Sequence, residues 1–148
     1  MHTAYIIGAA AGALAGGLAG ILIQWHQAHK AAQKYPPFKI KLPSAARYSD
    51  TFGLWAQQNR YRQTTPGTWR RDKHSLFGIT EIRFIGDNEI EISEIIHTPF
   101  KEQKTAINAP LLFGRAVRAH KIKQLNKLLA YWQLPQIPRR YSQNKENQ

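Results

Sequence analysis

The chain contains no cysteine. Disulfide frameworks, thiolate metal sites, iron–sulfur clusters and thiol nucleophiles are excluded together. Acid is scarce as well: 9 Asp+Glu stand against 21 Lys+Arg, giving a formal net charge of +12 and a sequence pI near 10.2. With 43% hydrophobic residues the chain is too apolar to be wholly disordered, and 10 Gly and 8 Pro are too few for a collagenous or low-complexity protein. Its 148 residues allow at most one compact domain. No phosphate-loop pattern, H-E-x-x-H, G-x-S-x-G or EF-hand spacing occurs. The six His, at 2, 26, 29, 74, 97 and 120, have no carboxylate at catalytic spacing. An enzyme would need a deep pocket with converging polar groups around His74 or His97.

Charge is also missing from the N-terminus, where no Lys, Arg, Asp or Glu precedes Lys30. Ala4 to Trp25 is an uninterrupted apolar stretch whose only strongly polar member is Gln24. As a helix it would span about 33 Å, against about 30 Å for a hydrocarbon core, so a transmembrane helix over 4–25 is expected after a short tail at 1–3. A cleaved signal peptide fits less well, because Met1-His2-Thr3 offers no side-chain cation and no A-x-A site follows. Lys30, Lys34, Lys39, Lys41 and Arg47 follow the apolar run. The positive-inside rule then expects a single-pass topology with the N-terminus outside and the C-terminal domain cytoplasmic.

Gly8, Gly12, Gly16 and Gly20 repeat every four residues, which lines them along one helix face. The pattern resembles the glycine-zipper class of membrane helices, and that resemblance covers only residues 8–20. It implies close packing against other transmembrane helices. Five glycines also dilute the insertion gain of the Ile and Leu residues, so a homo-oligomer or a place in a larger membrane complex is expected.

Beyond a basic juxtamembrane segment at 26–43, a small basic α+β domain is expected over 44–134. FKIKLP at 38–43 alternates apolar residues with Lys and reads as a segment lying over a membrane or pairing with a sheet edge. A helix capped by Ser49 or Asp50 should run to about Arg62, followed by a Thr-Thr-Pro-Gly turn at 64–67. The alternating runs at 76–85 and 89–96 flank Gly86-Asp87-Asn88 and predict a β-hairpin. Ile82, Phe84, Ile90 and Ile92 should face the core, and Glu81, Arg83, Glu89 and Glu91 solvent. Seven of the nine acids fall between Asp72 and Glu102. A solvated strand face explains them without a catalytic or cation-binding role. A long amphipathic helix should run from Asn108 to about Gln133, with a disordered tail at 135–148.

No acid occurs between Glu102 and Glu146, and the last helix therefore carries cations alone. Arg60, Arg62, Arg70, Arg71, Arg115, Arg118, Lys121 and Lys123 are the expected basic face, with Tyr61 and Trp69 interleaved. Such a face suits docking on anionic lipid headgroups or an acidic protein surface. It also suits a membrane-tethered nucleic-acid module, which would need Tyr61 and Trp69 exposed for stacking. The expected function is a non-catalytic, membrane-anchored interaction or assembly protein without cofactor or metal.

Overall fold

The computed structural model describes residues 2–44, 46–71, 78–98, 101–111 and 114–139, with side chains from residue 16 onward. These form an α+β fold: α1 (His2–Lys34), β1 (Phe38–Lys41), a 3-10 turn (Ala46–Tyr48), α2 (Asp50–Gln58), β2 (Arg62–Thr65), β3 (Thr68–Arg71), β4 (Ile79–Ile85), β5 (Glu89–His97), β6 (Glu102–Thr105) and α3 (Arg115–Tyr131). The six strands make one antiparallel sheet in the order β1-β5-β4-β3-β2, with β6 also paired to β5. Strand β1 lies along residues 89–92 of β5 and β6 along 94–97, so the long strand carries two short partners on one side.

The β4–β5 hairpin turns where expected. Gly86 adopts φ 62, a left-handed conformation that a side chain disfavours. Ile82 opposes Ile92 and Phe84 opposes Ile90, placing all four apolar side chains on one face. Phe38 and Ile40 of β1 and Trp69 of β3 join that face through their register. The second hairpin, β2–β3, closes around Gly67 at φ 79. It was legible in the sequence only as a turn, because RQTT and TWRR lack apolar alternation.

Helices α2 and α3 cover the apolar face. Ser49 caps α2 by accepting the Phe52 N–H, and the helix buries Phe52, Trp55 and Ala56. Helix α3 buries Ile122, Leu125, Leu128 and Leu129. The Trp55 indole N–H donates to the Gln124 carbonyl at 3.0 Å and joins the two helices. α3 begins at Arg115 rather than Asn108. Residues 135–139 are held rather than loose: Ile137 is buried, and the Asn126 side chain bonds both its N–H and its carbonyl. The rest of the expected tail lies outside the described residues, as does His74.

The opposite sheet face is an ion-pair ladder. Glu81 is 2% exposed and accepts from Arg70 Nε at 2.7 Å and Lys104 Nζ at 2.6 Å. Arg83 pairs with Glu91 at 2.9 Å. The acids read from the sequence as a solvated patch are thus partly buried beneath their own counterions. Burial alone would raise the Glu81 carboxyl, but hydrogen bonds from Lys104 and Arg70 overcome it and hold the group below the ordinary range. The unfolded chain therefore binds this proton first, and stability present above about pH 4.3 drains away as the pH falls further. Urea unfolding across a pH series should show Glu81→Gln flattening the acid limb of the stability profile; an unchanged limb would contradict this assignment.

The transmembrane expectation for 4–25 needs correction. Among the described residues, no helix is long and apolar enough to cross a membrane. Helix α1 continues without a break through residue 25 to Lys34. Its last turns belong to the domain: Ala28 and Ala31 are buried with Ile96, Ala109 and Leu111, and the Tyr35 carbonyl accepts the Ala106 N–H at 2.8 Å. Where side chains are described, the apolar run at 16–23 gives way to Gln24, His26, Gln27, His29 and Lys30. The fold class is α+β with a six-stranded antiparallel sheet and three helices, without the expected membrane helix. The single-pass topology and the cytoplasmic placement lose their basis with it. Within the segment at 26–43, Phe38–Lys41 forms β1 and pairs with β5, the second of the two expectations for FKIKLP.

Gly8, Gly12, Gly16 and Gly20 all lie on α1. A Cβ added at Gly16 or Gly20 would meet nothing within 4 Å. Gly16→Ala/Gly20→Ala should therefore raise helix stability by about 0.5–1 kcal/mol per site. Far-UV circular dichroism during thermal unfolding reads this directly; a loss of helix would mean that the glycine face is covered in solution.

Candidate functional site

The eight cations expected on one face are dispersed over the sheet, the end of α2 and both the exposed and the buried sides of α3. Arg62 and Arg70 oppose each other on the ion-pair face, with Arg70 held by Glu81 and, at 3.7 Å, by Glu102. Arg71 is half-buried on β3, and Arg60 is exposed just beyond α2 with φ 62. Arg115 and Lys123 are exposed on α3, whereas Arg118 and Lys121 on the same helix are buried. A cation on the polar side of a helix can face a carboxylate as well as water, and periodicity does not distinguish the two.

Lys121 shows the consequence. Its ammonium donates to Glu94 Oε1 at 2.7 Å and to the Gly78 carbonyl at 3.1 Å, while Thr80 donates to Glu94 Oε2 at 2.8 Å. Both members of the ion pair are at least 96% buried, with exposures of 4% and 0%. Tyr61 lies beside this cluster, and burial pushes its phenol above the ordinary tyrosine range. The group is a structural clasp between α3 and the sheet. Gly78 sits against it at φ 127, where an added Cβ would lie 2.7 Å from Glu94 Oε1.

The remaining α3 cations border two cavities. The first, about 630 Å³, is lined by Gln27, the segment 107–111, Arg115, Arg118, Ala119, Ile122 and Arg139. The second, about 430 Å³, lies between α3 and residues 136–139 and adds Lys123 and Lys127. Ile122 and Arg139 line both. Five cations thus border a groove along α3, with no acid among its described lining residues. Burial draws the Arg118 guanidinium below its usual range, against the attraction of Glu94, and Arg115 adds repulsion. The Arg118 guanidinium also donates to the Leu111 carbonyl at 2.7 Å.

Arg139 and Asn108 are the site residues that sequence reasoning missed. Arg139 fell in the expected tail, although Ile137 between two prolines was a signal that this stretch packs. Asn108 is 5% exposed and donates its amide N–H to the Pro138 carbonyl at 3.0 Å. Its Oδ1 is buried without a hydrogen-bond partner.

The aromatic residues expected to stack on bases point elsewhere. Tyr61 is 5% exposed and packs on Trp55 at 5.0 Å. Trp69 meets Phe52 edge-on at 5.3 Å. His97 is an exposed partner of Glu102 at 3.6 Å and lines neither of these two cavities. A scan against protein-family models, a search of curated proteins and a search of solved structures each match nothing.

Proposed function

We propose that the chain is a non-catalytic interaction module that docks on an acidic protein segment through the groove along α3. The observation that carries this reading is the single sign of charge in that groove: Arg115, Arg118, Lys123, Lys127 and Arg139 line it without an acid among the described residues. Elsewhere the cations near carboxylates are consumed by them, as Arg70, Lys104 and Lys121 are. The groove is concave, which favours an inserted segment over a flat anionic surface. Nucleic acid is disfavoured because Tyr61 and Trp69 are built into the core instead of offering stacking faces. An enzyme is disfavoured because neither cavity has a His or carboxylate among its described lining residues.

A fluorescein-labelled oligoglutamate peptide should bind the full chain with an affinity that falls as salt rises. Lys123→Glu/Lys127→Glu should weaken it by about tenfold or more, equivalent to about 1.4 kcal/mol. Equal binding by that variant would remove the groove from the interaction. Tighter, Lys123/Lys127-dependent binding of a single-stranded oligonucleotide of equal charge would move the assignment to nucleic acid.

A further inference from the structure

We infer that the larger cavity, beneath the start of α3, takes a carboxylate-bearing peptide unit, with its carboxylate on the guanidinium groups and a peptide N–H on the Asn108 amide oxygen. This rests on the docking reading above and specifies what enters the groove. Three independent features meet there. The first is cationic: Arg115 and Arg139 line the cavity with exposed side chains, and a guanidinium fork matches a carboxylate bidentately. The second is the entrance of α3, where Gly114 supplies no side-chain cap and no acid occupies the first turn. A helix N-terminus favours an anion for the same electrostatic reason.

The third feature narrows the ligand. Asn108 Oδ1 is a buried acceptor without a partner, and the amide is oriented by its donation to Pro138. A fully deprotonated dicarboxylate such as succinate brings no donor, leaves that oxygen as it is and forgoes about 1–3 kcal/mol that satisfying it would return. A peptide brings an N–H together with its carboxylate. Ile107, Ala109, Leu111, Ala119 and Ile122 supply apolar wall for the intervening methylenes. The volume, about 630 Å³, lies within the usual range of ligand cavities.

The test uses the full chain and three unlabelled probes, each measured by titration calorimetry. N-acetyl-Asp-Glu carries carboxylates and peptide N–H groups, its trimethyl ester keeps only the N–H groups, and succinate keeps only carboxylates. The dipeptide should bind, the ester should not, and succinate should bind about tenfold more weakly or worse. Arg115→Gln/Arg139→Gln alters exposed side chains and should lower dipeptide affinity by about tenfold or more, with an unchanged circular dichroism spectrum confirming the fold. Succinate binding as well as the dipeptide would overturn the role of Asn108. Absence of dipeptide binding, with Lys123/Lys127-dependent oligoglutamate binding retained, would overturn the cavity inference while leaving the docking surface intact. Loss of both interactions would overturn both.

Discussion

Replacing Lys121 by Met should lower the free energy of unfolding by about 3–5 kcal/mol, because it leaves a buried carboxylate without its counterion. Glu94 has no exposed surface, and among the described residues it accepts from two side chains, Lys121 at 2.7 Å and Thr80 at 2.8 Å. Methionine approximates the lysine stem, so the packing loss is small and the uncompensated charge dominates. The Gly78 carbonyl loses a donor in the same substitution. Removing both charges, in Lys121→Met/Glu94→Leu, should recover much of the loss, since a buried ion pair and an apolar pair of similar volume often differ little. Urea unfolding of the two single variants and the double variant forms the appropriate cycle. Losses that simply add would show that the ion pair is not coupled and would contradict this account.

The same clasp shows where sequence information ends. Lys121 and Lys123 stand two residues apart on one helix, yet one is 3% exposed and the other faces solvent. The difference depends on Glu94, 27 residues away in the chain, which reaches Lys121 only after β5 has paired. Local patterns fared better. Ile82, Phe84, Ile90 and Ile92 revealed their face through alternation, and Gly86 marked the turn between them. Ser49 announced α2 through the chemistry of an N-cap. Strands β2 and β6, with sequences RQTT and EQKT, carry no apolar residue at all and are strands because of the neighbours they pair with.

The candidate site divides along the same line. Arg115 and Lys123 were legible as exposed helix cations, whereas Asn108 lies in the segment before α3 and Arg139 reaches the groove only because the chain after α3 folds back. That return is held by Asn126 on Ile137 and Asn108 on Pro138. Two asparagines, neutral in any charge count, thus set one wall of the cationic groove. At the N-terminus an uncharged apolar run of sufficient length suggested a membrane span. The packing of Ala28 and Ala31 under Ile96 and Leu111 is a tertiary fact that no window of hydropathy contains.

Phe52→Ala should cost about 3–5 kcal/mol, the range for removing a fully enclosed aromatic side chain. Phe52 is 2% exposed, and four rings surround it: Phe84 at 4.9 Å, Trp69 at 5.3 Å, Trp132 at 6.1 Å and Trp55 at 6.2 Å. These rings come from β4, β3, the end of α3 and α2 itself, so one side chain joins both helices to the sheet. The edge-on contacts with Phe84 and Trp69 add a directional term beyond area burial. Alanine would leave a cavity whose walls belong to different elements and cannot all collapse into it. Leu54, on the same helix but 59% exposed, supplies the control: Leu54→Ala should stay within about 0.5 kcal/mol. Three of the chain's four tryptophans ring Phe52, so intrinsic fluorescence reports both the unfolding midpoint and the local environment. A native emission spectrum shifted to the red, together with a lower urea midpoint, is the expected outcome for Phe52→Ala. A loss below about 1 kcal/mol, the size typical of an ordinary point substitution, would show that the sheet and helices are held together without this cluster.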